Sequence, residues 1–395
     1  MSVSRRAFMA AGIGAGAVGA GYYLTGGRIL GPWTRDAGEK VAGAAPTRRL
    51  LLHNNENPLG PGDKAIAAMR AKFTERGIPL ARYGFRSGEV AEPLAAKFSC
   101  KTENVMLGCG STQILRSATH AFTTKDAALI TGTPSYEECP DMAKVVGSKM
   151  VTVPLTGSAH LDLDAMAAAS AGAGLVFLCN PNNPTATVHG AKTVQDFVEK
   201  VLKASPKTVI AIDEAYHDYV TDPSYATQIP LALENPQVIV ARTFSKAYGM
   251  AGLRLGYAIG RKETLDKMRA VQFGMTLNVL ALAAAVASIP DTARLEEESR
   301  RNTEARQFTM DWFKRSGYSM TDSQCNFIFV NIGRPAKEFR DGCREHGVLV
   351  GRDFPPFEKT HTRISIGTME EMKEAVQVFG QVLAVTNAAS TGTAA

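Results

Sequence analysis

Seven short apolar runs stand out along the chain, each closed by glycine, asparagine, aspartate or serine. They are NVMLGCGS, AALITGTPS, KMVTVPL, GLVFLCNPN, TVIAIDEA, QVIVARTFSK and RLGYAIG. Near-continuous apolar runs, rather than alternating ones, predict strands covered on both faces. Longer helix-permissive segments, such as STQILRSATHAF and TVQDFVEKVLKA, lie between many of them. Strands alternating with helices predict an α/β fold around a mostly parallel seven-stranded sheet. In such sheets ligands bind beyond the carboxyl ends of the strands, so the residues closing each run carry the functional signal.

After residue 262 the pattern changes to long helical stretches, TLDKMRAVQF and ARLEEESRRNTEARQFTMDWFKRSG, then two strand candidates, NFIFVNI and TRISIGT, and a last helix. This predicts a smaller α+β domain. The expected boundaries are an N-terminal segment 1–45, an arm with part of the small domain at 46–75, a large domain at 76–280, a small domain at 281–385, and a disordered tail at 386–395 without apolar pattern.

The N-terminus adds a separate signal. Paired arginines in SRRAFMA precede an uncharged run of small residues, AGIGAGAVGAGYYL. This order resembles a twin-arginine signal and implies export to the periplasm by that machinery, with an uncleaved membrane tether or a cytoplasmic protein as the alternatives. The run is short and glycine-rich for a membrane span. Without residues 1–45 the net charge falls from +6 to +3, and no basic stripe with interleaved aromatics appears, which argues against nucleic acid as a partner. Six scattered cysteines and seven histidines show no metal-ligand spacing, so no metal site is expected.

The strand ends hold a recurring set of side chains. TVIAIDEAY ends in Asp213, with Tyr216 three residues on, and LVFLCNPNNPT carries Asn183. VMLGCGSTQIL runs through Gly110, Ser111 and Thr112 into a helix start, where backbone N–H groups and the helix dipole favour a phosphate. TGTPSYEE supplies Tyr136, and TFSKAYGMAGLRLGY supplies Ser245, Lys246 and Arg254. Alone, each has an ordinary explanation as a cap, a turn or a surface lysine. Together they meet the needs of pyridoxal 5′-phosphate: an amine for a Schiff base, an aspartate for the ring nitrogen, donors for the phenolic oxygen and phosphate, and an aromatic to stack on the ring.

NPNNPT, DEAY and TFSKAYGMAGLRLGY, in this order, resemble the class I/II aminotransferases of fold type I, in the branch that contains histidinol-phosphate aminotransferases. The spacings are specific: 30 residues from Asn183 to Asp213 and eight from Lys246 to Arg254. The resemblance extends from LLHNNENPLGP to TRISIGTMEEM. It implies that Lys246 is catalytic and that Tyr136 stacks on the cofactor. It further implies that Tyr83 reaches a phosphate across a homodimer interface and that Arg363 grips the substrate carboxylate. Arg352, offset by one residue from a second anion-binding arginine, and Asn57 are further substrate-binding candidates.

Two departures stand out: Ala186 follows NPT where glycine is common, and YGFRSGE introduces Arg86, which either selects an acidic substrate or pairs on the surface. The implied reaction moves an amino group between an amino acid and a 2-oxo acid. A decarboxylase, lyase or oxidase on the same scaffold, or a cofactor-binding sensor without turnover, are the alternatives.

Overall fold

A computed structural model describes residues 23–25, 28–30, 49–74, 80, 87–274 and 277–391. The chain divides into two units, Met1–Arg48 and Arg49–Ala395. In the first, strands Tyr23–Thr25 and Arg28–Leu30 pair antiparallel. The paired arginines Arg5 and Arg6, and the candidates Tyr83 and Arg86, lie outside the described residues.

The second unit is built on seven strands: β1 Val105–Gly108, β2 Leu129–Thr133, β3 Met150–Pro154, β4 Leu175–Cys179, β5 Val209–Asp213, β6 Val238–Thr243 and β7 Gly256–Gly260. They are the seven apolar runs. Their order across the sheet is β1-β7-β6-β5-β4-β2-β3. Neighbours from β6 to β3 pair in parallel, while β7 runs antiparallel to both β6 and β1. Because β7 is reversed, its first residues lie at the edge where the other strands end. Arg254, just before β7, therefore arrives beside residues that follow β1, β5 and β6.

Period-two alternation sends successive side chains to opposite faces, and helices cover both. Ile210, Ile212, Val238 and Val240 join one apolar core with Val194, Phe197 and Val201 of helix Ala191–Ala204. Val209, Ala211, Ile239 and Ala241 join the other with Ile114, Leu115 and Ala118 of helix Gly110–Phe122. The edge strand β3 is the least buried of the seven. A strand packed on both sides cannot afford polar positions, which is why the inner runs read as continuously apolar.

A second layer has its own core around Phe313, Phe339 and Phe379. Its three-stranded antiparallel sheet contains Phe327–Asn331 and His361–Ser365, the two strand candidates beyond residue 262. Strand Leu50–Leu52 pairs in parallel with Val348–Val350, so the start of the unit is woven into its C-terminal part. Helix Val279–Ser288 straddles the expected boundary at 280 and packs on the large-sheet core through Ala281, Leu282 and Ala285. The last helix, Met369–Thr391, runs into the segment expected as a tail.

Candidate active site

The segment after β6 turns back on itself: Gly249 N–H donates to Lys246 O at 2.8 Å, and Met250 N–H to Phe244 O at 3.0 Å. Gly249 has φ +70°, and a Cβ there would lie 2.0 Å from Gly60 O, so only glycine lets this turn back directly onto the N-terminal arm. The turn holds Lys246 half-buried, its Nζ donating to Asn54 O at 3.1 Å. Burial, then the positive charges of Arg363 and Arg254, lower its pKa to about 8.

Asp213 closes β5, flanked in register by Cys179 of β4 and Ala241 of β6. Burial raises its carboxyl to about 7 despite a 3.2 Å hydrogen bond from Ala215 N–H and the nearby Lys246. Glu214, next in sequence, has its charge met behind the sheet. It accepts from Arg242 Nε at 3.0 Å and Nη2 at 2.7 Å, from Thr227 Oγ1 at 2.7 Å and from Gln228 N–H at 2.7 Å. A fork of this kind is a strong charge-assisted pair, and it leaves Asp213 as the carboxyl group of this pair associated with Lys246.

Gly110 begins the helix that follows β1, with φ +75°. A Cβ on it would lie 2.5 Å from Arg254 Nη2, and one on Gly256 would lie 2.3 Å from Ser111 N. The two glycines thus let β7 and the Arg254 guanidinium close directly on the helix start, and guanidinium and helix start together form a cradle. Arg254 itself takes a left-handed backbone, φ 58°, uncommon for a side-chain-bearing residue and typical of functional sites. It donates to Ser245 Oγ at 3.3 Å and Ala251 O at 2.8 Å, while Thr243 Oγ1 supports Ser245 from below at 2.9 Å. A cation at the positive end of a helix repels it unless an anion lies between them. The cradle suits a phosphate group, which Gly110, Ser111, Thr112, Ser245 and Arg254 would hold.

Tyr136 lies next to this helix and shares a hydrogen bond with the Thr112 hydroxyl, and burial raises its phenol pKa. Tyr216 packs edge-on against Phe327 at 5.1 Å, and its hydroxyl accepts from Asn55 Nδ2 at 3.2 Å. Lys246 Nζ lies 5.7 Å from the Tyr216 ring centroid.

Arg363 enters from the second layer. Its Nη1 donates to Asn183 Oδ1 and its Nη2 to His53 O, both at 2.7 Å. Its Nε is buried without a partner, and Phe354 and Phe327 flank the guanidinium at 4.8 and 5.5 Å. Burial lowers its pKa to about 10. Arg352 is more exposed: it lies over Phe354 at 4.5 Å and pairs with Glu137.

Asn57 lies beside the Lys246 turn. Its Nδ2 donates to Ala247 O at 3.0 Å and its Oδ1 accepts from Leu59 N–H at 2.9 Å, so both ends of the amide are spent on the backbone beside Lys246. Asn55 has no counterpart in the sequence-derived set. Buried at φ 55°, it holds Tyr216 while its own N–H and Oδ1 engage Ser365 Oγ at 2.8 and 2.9 Å. The backbone carbonyls of His53, Asn54 and Asn55 accept in turn from Arg363, Lys246 and Asn326. The only sequence signal for this strap is the polar run HNNEN beside an apolar strand.

The family model for aminotransferase class I and II matches residues 48–379. The chain belongs to the class I and II aminotransferases. Over 337 residues it is 34% identical to a histidinol-phosphate aminotransferase of Moorella thermoacetica, covering 85% of this chain and 86% of that one. An aromatic amino acid aminotransferase of Thermobifida fusca is 31% identical over 350 residues, covering 86% and 94%. Among solved structures, histidinol-phosphate aminotransferase from Sinorhizobium meliloti in complex with pyridoxal-5′-phosphate superposes with a TM-score of 0.79 at 26% identity, covering 86% and 92%.

The aminotransferase is a pyridoxal-phosphate enzyme of fold type I, and the phosphate cradle, Asp213 and Lys246 are a donor set that suits this cofactor. When bound, the cofactor supplies an aldehyde that condenses with amines and a ring that draws electrons from the carbon beside the amine. Lys246 offers an amine that loses its proton more readily than an ordinary lysine, at about 8, which suits both covalent attachment and proton transfer. Asp213, as a carboxylate, would keep a proton on the ring nitrogen. Asn183 and Tyr216 would hold the phenolic oxygen, and Arg363 would fix a carboxylate.

Proposed function

We propose that this aminotransferase takes its amino group from an amino acid carrying a free α-carboxylate, encounters that donor outside the cytoplasm, and works as a homodimer. One observation carries the donor assignment: Arg363 is a buried cation whose hydrogen bonds go only to a neutral amide and a main-chain carbonyl, with Nε unpartnered. A carboxylate would satisfy it with a two-pronged pair. Relatives named for aromatic amino acids frame the donors to try first. The twin-arginine-like start supports the location, since that route carries folded protein with its cofactor already in place. The exposed Phe73 and Phe273 support a surface that a second subunit covers.

The test is the near-ultraviolet and visible spectrum of the purified protein with single amino acids, followed by pyruvate or 2-oxoglutarate. The expected result is loss of the cofactor's aldehyde-form band, release of one oxo acid per site, and recovery of the band with the acceptor. Carbon dioxide, ammonia or peroxide in place of the oxo acid would overturn the reading. Fractionation of cells making the wild type or a variant with Arg5 and Arg6 changed to lysine tests export, and sedimentation tests the dimer.

A further inference from the structure

Arg352 and Arg363 are held close together. Gly351 N–H donates to Arg363 O at 2.8 Å, which fixes the backbones beside each other, and both guanidinium groups lie over the Phe354 ring, at 4.5 and 4.8 Å. Two cations on one ring repel. Arg352 depresses, and Glu137 supports, the protonation of Arg363, so all three groups share one electrostatic neighbourhood. Glu137 comes from the large domain, directly after Tyr136, and accepts from Arg352 Nη2. The other nearby carboxylate, Asp353, is taken by Arg340.

We propose that Glu137 sets the charge preference of the substrate side-chain pocket. By occupying Arg352 it makes that end of the site neutral, so the enzyme favours donors with uncharged aromatic or aliphatic side chains over those with a second carboxylate or a phosphate. The Glu137–Arg352 pair is more than two-fifths exposed on both sides, and such pairs contribute little to stability. Its value lies in discrimination: an anionic side chain must displace Glu137 from Arg352 and meet its repulsion, whereas an uncharged one meets neither. The inference rests on Arg363 taking the α-carboxylate.

The test compares wild type, Glu137→Gln and the double variant Glu137→Gln/Arg352→Gln. The donor half-reaction gives kcat/KM for aspartate and for phenylalanine, and calorimetry gives the affinity of the cofactor-loaded protein for succinate. Glu137→Gln should raise the aspartate-to-phenylalanine ratio about tenfold or more and tighten succinate binding, since a close like charge has been removed. The double variant should lose both gains. An unchanged ratio and succinate affinity, a gain that survives in the double variant, or a wild type that prefers aspartate would each overturn the proposal. If no donor releases an oxo acid, the aminotransferase reading fails separately, and succinate binding alone decides the role of Glu137.

Discussion

Arg363 Nη1 donates to Asn183 Oδ1 at 2.7 Å, joining the second layer to the loop after β4. If Asn183 holds the cofactor as proposed, this bond ties Arg363 to the cofactor's surroundings. Arg363→Lys keeps the charge but loses the planar fork, and Arg363→Met loses both. Lysine should cost about tenfold and methionine about a hundredfold or more in kcat/KM for amino acids. The cofactor band should persist in both. Equal activity of wild type and the methionine variant would remove Arg363 from substrate binding.

Asn55 combines a left-handed backbone with a hydrogen bond to Tyr216. Asn55→Gly keeps the backbone comfortable and deletes the side chain, while Asn55→Ala loses both. Glycine should therefore be the milder change, destabilising by roughly 1–2 kcal/mol, with alanine about 1 kcal/mol worse, by denaturant unfolding. The reverse order would mean that backbone strain is not stored there.

At Gly110 the added methyl of Gly110→Ala would meet Arg254 Nη2, and φ +75° disfavours alanine independently. The expected loss falls on cofactor affinity, by about tenfold or more, because the guanidinium must leave the helix start. Fluorescence titration of cofactor-free protein with pyridoxal phosphate measures it. Unaltered affinity would place the phosphate elsewhere.

Lys246 gives a pH prediction. Its pKa is lowered to about 8, by burial first and then Arg363, and only the neutral amine attacks an aldehyde. Cofactor loading by the cofactor-free protein should accelerate as pH rises from 6 and level off above about 8. A midpoint close to the ordinary lysine value of 10.5 would show that Lys246 titrates as a surface amine.

Asp213 predicts the opposite sign in stability. Burial raises its carboxyl from 3.8 to about 7, so between these values the folded cofactor-free chain keeps a proton that the unfolded chain has released. The stabilising contribution is full below 3.8 and is lost as pH rises through about 7. Asp213→Asn does not titrate, so its stability relative to wild type should climb between pH 4 and 7, by roughly 4 kcal/mol at most. A flat difference would mean that the folded carboxyl titrates in the normal range.

The sequence by itself determined the seven sheet strands and the residues that close them. Burial on both faces demands continuous apolar runs, and polar groups that serve a ligand must come where such a run stops. Asp213, Lys246 and Gly110 stand out in the sequence for that reason, each belonging to one local strand-to-loop transition. The tertiary structure decided what meets them. The reversed direction of β7 brings Arg254 to Gly110, and docking of the second layer brings Arg363 to Asn183 and Arg352 to Glu137. The arm brings Asn55 to Tyr216 and spends Asn57 on backbone. No local period encodes such contacts, because they join segments whose separation depends on the path of every loop between them and on how two separately packed cores dock.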